Sequence, residues 1–263
     1  MRKFKKRLID RERTVGSWLQ IPSETTAEIM TQSGFEWLVI DMEHAPIGVG
    51  EAARLIRVID LAGLPALCRI PANDPVLIKN VLDAGADGVI VPMVESRKEA
   101  ERAVDAAYYP PGGKRGVGLA RAQAYGSGFD QYRKQIDESL IVIAMIESGG
   151  GIEHVEAIAT TPGIDGLFVG PYDMSASLGL IGQIDHPEIK AALRTVIDTA
   201  HRVGIGCGLH VVHPNQHAIE EAFNEGYTFA ALGVDMIFLG QAARESVKMA
   251  GRNQKADDVP GIS

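Results

Sequence analysis

Residues 75–93 read PVLIKNVLDAGADGVIVPM, and this stretch sets the pattern for the chain. A helical pattern over 75–83 stops at Gly85, as a helix end should. The run over 88–93 that follows is continuously apolar, which suits a strand buried on both faces. Outward from it the same unit recurs. Strand-like runs fall at 15–21, 37–42, 66–70, 88–93, 140–146, 166–169, 204–211 and 228–233. Helical patterns follow them at 25–32, 50–61, 75–83, 98–107, 151–159, 186–203, 216–224 and 235–250, several ending at a glycine: Gly34, Gly63, Gly85, Gly204 and Gly226. Eight such units in 263 residues predict one closed parallel (β/α)8 barrel, a TIM barrel, as a single domain over 1–263. An open doubly wound sheet would call for a nucleotide fingerprint, and no GxGxxG follows the first run.

The segment 109–130 breaks this rhythm with prolines, glycines and the pair Lys114-Arg115, and reads as a functional or interface loop. The glycines 149–151 open a helix and give a weak anion-site signal. The tail from 251 is polar and is expected to fray. A net charge of −8 argues against nucleic acid as a partner. No apolar run is long enough to cross a membrane, and the basic N-terminus is not followed by the apolar core of a signal peptide. The two cysteines, Cys68 and Cys207, lie in strand-like runs and read as buried, reduced thiols of a cytoplasmic protein.

Barrel chemistry sits at the C-terminal ends of the strands. There the sequence places Asp41-Met42-Glu43-His44, Arg69, Glu147, Tyr172-Asp173, His210 and His213. Glu147 and Asp173 follow adjacent strands. Two such carboxylates suit Mg²⁺ or Mn²⁺, or each caps a loop or helix, Asp173 that of residues 175–178. Arg69 ends an apolar strand and needs an anionic partner: a substrate carboxylate or enolate oxygen, or an ion pair with Asp41 or Glu43. His44 is the best-placed general base, or else a loop histidine making one hydrogen bond. His210 and His213 are weaker candidates that would favour Zn²⁺ as nitrogen ligands. No lysine falls on a strand-like run, so a lysine imine is not expected and a metal is left to polarise the substrate.

The stretches VIDMEHAP (39–46), CRIPANDP (68–75), IKNVLDAGADGVIVPMV (78–94), YYPPGGKRGVG (108–118), MIES (145–148) and GIDGLFVGPYDMSASLG (163–179) together resemble the HpcH/HpaI (4-hydroxy-2-oxoheptanedioate) aldolase family. The resemblance covers most of the chain. It implies a barrel of the phosphoenolpyruvate/pyruvate type and a class II pyruvate aldolase that splits a 4-hydroxy-2-oxo acid into pyruvate and an aldehyde. It implies Glu147 and Asp173 as metal ligands, with Mg²⁺ or Mn²⁺ ahead of Co²⁺ or Zn²⁺. It further implies His44 as the proton carrier, Arg69 as enolate stabiliser, and Asp83 as the acid that raises the basicity of the histidine. Asp83 closes a helix expected to end on the opposite barrel face, so either that helix boundary differs or the pairing takes another route, such as a neighbouring subunit; Asp41 is the local alternative. Met145 stands where the family commonly has Gln, and Tyr172 where it has a small residue; both bear on substrate binding. A homo-oligomer, a hexamer, is implied, with the C-terminal helix exchanged between subunits; Met236, Ile237, Phe238 and Leu239 fit this. A citrate-lyase-like or decarboxylating lyase, or a catalytically silent binding barrel, are the competing readings.

Overall fold

The computed structural model describes residues 2–251, so the tail beyond 251 lies outside the described residues. In chain order the elements are α1 (Arg2–Ile9), β1 (Thr14–Leu19), α2 (Glu24–Thr31), β2 (Trp37–Asp41), α3 (Val49–Leu61), β3 (Ala66–Arg69), α4 (Pro75–Asp83), β4 (Gly88–Val91) and α5 (Arg97–Ala107). A 3-10 turn (Arg121–Gly126) follows, then α6 (Phe129–Ser139), β5 (Ile141–Ile146), α7 (Gly149–Glu153), α8 (Val155–Ala159), β6 (Gly166–Val169) and α9 (Pro171–Ser177). The chain closes with α10 (Pro187–Val203), β7 (Gly206–Val211), α11 (Gln216–Glu225), β8 (Phe229–Val234) and α12 (Asp235–Met249). All eight strands pair in parallel in sequence order, and β8 closes on β1.

Strand alternation divides the apolar residues into two cores. The inner one fills the barrel with Trp18, Trp37, Leu67, Ile90, Ile143, Met145, Phe168 and Phe229. The outer one lies between strands and helices and takes the opposite parity, such as Leu38 and Ile40 of β2 and Val142, Ala144 and Ile146 of β5. Two of the large rings fit because the register partner on the adjacent strand is a glycine. A Cβ on Gly16 would lie 2.2 Å from the Trp37 ring, and one on Gly208 would lie 2.1 Å from that of Phe229.

Three local readings are corrected. The basic N-terminus is a helix, α1, whose Phe4 and Leu8 join the inner core. Its Lys5 ammonium lies 3.0 Å from the Asp165 carboxylate and donates to the Leu140 carbonyl at 2.7 Å, which pins α1 over the N-terminal end of the barrel. The segment 109–130 holds the 3-10 turn and the start of α6, a mostly polar helix whose thin apolar stripe of Phe129, Tyr132 and Ile136 buries only Ile136 fully. The pattern over 151–159 is two short helices meeting at His154 rather than one. Both cysteines are buried, and burial pushes the Cys207 thiol up to about 12 and Cys68 higher, so neither is a reactive thiolate.

Candidate active site

The inward parity of β2, β3 and β5, followed to the C-terminal rim, yields Asp41, Arg69, Met145 and Glu147. Asp41 and Arg69 are register partners on adjacent strands. The Arg69 Nε donates to Asp41 Oδ1 at 3.0 Å and its Nη2 donates to Oδ2 at 2.7 Å, a planar two-point pairing. The guanidinium also lies 3.3 Å from Glu43 Oε2 and 4.4 Å above the Trp18 ring. Asp41 accepts further bonds from Gln20 Nε2 at 2.6 Å and from the backbone N–H groups of Glu43 and His44 at 3.1 and 3.3 Å. Burial alone would raise the Asp41 pKa; Arg69, Gln20 and the His44 amide together hold it below the usual carboxylate range. The ion pair expected as one alternative for Arg69 is therefore present, and the same side chain lines the cavity at the barrel mouth.

Glu147 is buried, and its Oε1 accepts the Met93 backbone N–H at 2.7 Å. Met93 adopts φ 50°, a left-handed conformation that turns this N–H onto the carboxylate. Burial, together with the charges of Glu43 and Asp173, pushes Glu147 up to about 7. Glu43 is likewise raised, first by burial and also by Asp41 and Asp173. Its Oε2 is buried with no hydrogen bond and lies 3.8 Å from His44 Nε2. Asp173 sits in the first turn of α9, which starts at Pro171 after Gly170, so it does not cap residues 175–178. Gly170 is a packing requirement: a Cβ there would lie 2.7 Å from Glu147 Oε2.

Glu43, Glu147 and Asp173 gather negative charge at the mouth, with the proton affinities of Glu43 and Glu147 raised, and their all-oxygen donor set suits a hard divalent ion. Glu147, with Oε1 satisfied and Oε2 kept clear by Gly170, fits as one ligand and Asp173 as the other. Among the described residues no three His, Cys, Asp or Glu side chains gather closely enough to hold an ion alone. An ion here would complete its shell with water and substrate oxygens, as Mg²⁺-type sites do.

The remaining candidates divide. His44 is half-exposed at the mouth, and the carboxylate facing its ring is Glu43. Sequence reasoning took Glu43 only as a partner for Arg69; its inward parity two residues after Asp41 was the available signal. Within one chain Asp83 stays away from the mouth. Helices of the barrel run antiparallel to its strands, so α4 ends at the N-terminal face, and there Asp83 accepts from Arg115 Nη2 at 2.6 Å. Asp41 touches the His44 backbone but not its ring. Met145 lies in the inner core and Tyr172 stands exposed at the mouth, and both line the cavity. His210 Nε2 bonds to the Gly233 carbonyl at 3.0 Å, and burial above all pushes its pKa down to about 4, so it is a neutral ring already engaged. His213 also lines the cavity. Among the described residues no lysine lies on a strand.

The HpcH/HpaI aldolase/citrate lyase family model matches residues 14–242. A hydroxypyruvate/pyruvate aldolase of Chromohalobacter salexigens is 37% identical over 244 residues, covering 92% of this chain and 95% of the relative. A 2-dehydro-3,6-dideoxy-6-sulfogluconate aldolase of Pseudomonas putida is 38% identical, covering 90% of this chain and 93% of the relative. Among solved structures, an HpcH/HpaI aldolase/citrate lyase family protein from Burkholderia cenocepacia superposes with a TM-score of 0.90 at 35% identity, covering 96% of this chain and all of that one (100%). With the barrel and its acidic mouth in place, these likenesses establish the lineage: the chain belongs to the HpcH/HpaI aldolase/citrate lyase family of carbon–carbon lyases.

Proposed function

We propose that this enzyme makes and breaks the C3–C4 bond of a 4-hydroxy-2-oxo acid, releasing a pyruvate-type 2-oxo acid and an aldehyde, with a divalent metal held by Glu147 and Asp173. The observation that carries this reading is the buried Glu147 carboxylate, whose proton affinity rises first through burial and further through the negative charges of Glu43 and Asp173. When bound, Mg²⁺ or Mn²⁺ would supply Lewis acidity toward the 2-oxo acid. The chain's own groups do the rest. His44 takes the proton of the 4-hydroxyl as C3–C4 breaks and the aldehyde carbonyl forms. The electron pair left on C3 spreads onto the 2-oxo oxygen, where Arg69, already oriented by Asp41, donates hydrogen bonds. Proton return to C3 completes the 2-oxo acid. In the reverse direction C3 adds to the aldehyde carbon, and the carbonyl oxygen takes up the proton from His44.

The aldolase names of the relatives support the reaction class. A release assay for the 2-oxo acid with and without EDTA tests the metal, and Glu147→Ala should abolish the metal-dependent turnover. Undiminished activity in that variant would refute the assignment. We also propose a homo-oligomer joined through α12, whose Leu239, Val247 and Met249 are exposed. Asp235 at its start is its one buried residue among those described. Sedimentation of a chain shortened before α12 should show the assembly lost. Among the described residues no helix is long and apolar enough to cross a membrane.

A further inference from the structure

The cavity that holds the mouth residues does not end at the barrel. It has a volume of about 600 Å³ and runs from Arg69, Met145 and Phe168 out to Leu193, Ala218 and Tyr227. The second group belongs to another layer: Tyr227 is in the outer core between strands and helices, and Leu193, Leu209 and Ala218 are partly buried residues packed against that core. Pro171 and Val212, just past β6 and β7, line it as well, so the path leaves the barrel over the ends of these two strands.

The sequence opens this crevice in a definable way. On β5 and β6 the outward residues level with Leu209, Ile146 and Val169, are sealed at 0% and 1% exposure, and lower on β7 Cys207 is sealed at 0%. On β7 the outward Leu209 is only partly buried. Arg194 and His201 of α10 bond to the carbonyls of Glu225 and Gly226 at 2.7 and 2.8 Å, which ties α10 to the C-terminal end of α11. Toward the barrel mouth no hydrogen bond or ion pair joins the two helices among the described residues, and Leu193 and Ala218 face the gap. The floor is apolar. The rim carries the exposed Asp185, Glu221 and Glu225 against the single Lys190, which Asp185 already pairs at 3.0 Å.

We infer that this crevice is the seat of the aldehyde half of the substrate, and that the aldehyde is uncharged and carries an extended apolar chain. The inference rests on the aldolase reading, because that reading places the cleaved bond between Arg69 and His44 at the inner end of the same cavity. A 2-oxo acid fixed there by its own carboxylate leaves the rest of the space to whatever hangs on C4. The apolar floor rewards methylenes, and the carboxylate-rich rim repels a second anionic end.

The test is a series of straight-chain aldehydes from propanal to octanal, added to pyruvate in the presence of Mn²⁺. The specificity constant should climb about threefold to fourfold per methylene until the crevice is full. Ala218→Phe, which fills the gap from α11, should flatten that climb, and Leu193→Trp should do the same from α10. Separately, calorimetry with the Mn²⁺-loaded protein should show 2-oxooctanoate binding at least tenfold tighter than pyruvate, with the difference lost in Ala218→Phe. A flat aldehyde series, or equal affinity for pyruvate and 2-oxooctanoate, overturns the inference. Absence of aldol product with every aldehyde, alongside chain-dependent binding, overturns the aldolase reading and leaves the crevice standing.

Discussion

Replacing Arg69 with methionine isolates the central electrostatic unit of the site. Methionine keeps an unbranched apolar stem over the Trp18 ring but removes the two bonds to Asp41, at 3.0 and 2.7 Å, and the contact to Glu43. Asp41 is fully buried, so the change strands a carboxylate rather than merely deleting a pair. Breaking one side of a buried pair costs about 3–5 kcal/mol. At roughly 2–4 °C per kcal/mol for a domain of this size, the melting temperature should fall by about 6–20 °C. The pH dependence follows from the sign. In the native protein Asp41 is held below its ordinary pKa, so its contribution is present at neutral pH and lost as pH falls through that lowered value. In Arg69→Met the burial acts unopposed and raises the same group, so protonation relieves the penalty and the gap to the native protein narrows as pH falls. Urea unfolding at neutral and mildly acidic pH measures both. Asp41→Asn combined with Arg69→Met should recover more than half of the lost stability and none of the activity. An additive double variant, or a single variant as stable as the native protein, would refute the claim that the pair is one structural unit presenting one catalytic cation.

Gly170→Ala places a Cβ 2.7 Å from Glu147 Oε2 and should weaken Mn²⁺ binding about tenfold to a hundredfold by titration. Unaltered affinity would show that this oxygen is not a ligand. In EDTA, Glu147 with a pKa of about 7 should lower stability as pH rises from its ordinary value toward neutrality, by roughly 3 kcal/mol, and Glu147→Gln should remove that slope. The opposite slope, or none, in the native protein would contradict the crowding of carboxylates. Metal and 2-oxo acid should bind cooperatively, pyruvate affinity rising about 5–150-fold when Mn²⁺ is present. Equal pyruvate affinity in EDTA would separate the two sites.

The barrel was legible because its signals are local and repeated. Each strand run is apolar throughout, and the glycine stops at Gly85, Gly204 and Gly226 all adopt positive φ, so both ends of most units lie within one or two residues of the observed ones. What stayed illegible depended on long-range partners. Helix α1 owes its place to Lys5 meeting Asp165 across the bottom of the barrel, and no periodicity encodes that. Helix α6 is too polar to announce itself. At the site, position along the strands picked out Arg69 and Glu147 at the rim, but whether Arg69 bonds Asp41 or waits for substrate was undecidable from spacing. Asp83 shows what a motif leaves open: the aspartate is present, the helix ends where expected, and within one chain its carboxylate bonds Arg115 on the face opposite His44. The crevice behind β7 was invisible for a different reason. Nothing in the α10 and α11 sequences says that the two helices join at one end and part at the other.

These features share one electrostatic logic. Asp41, Glu43, Glu147 and Asp173 meet a single strong cation, Arg69, and Asp41 alone claims its two-point face. Burial and neighbouring negative charge push Glu43 and Glu147 toward protonation, most plainly Glu147, whose raised pKa leaves a proton that a divalent ion would displace at neutral pH. A 2-oxo acid brings more negative charge to the same place, and an unscreened cluster of carboxylates would repel it. The mouth therefore suits an anion that arrives with, or after, a dication. The crevice has the reverse character: it is apolar within and acidic at the rim, so it favours an uncharged group. A substrate with one charged end and one greasy end would be oriented by this contrast before any bond changes, its 2-oxo acid drawn to Arg69 and its C4 chain turned outward along β7.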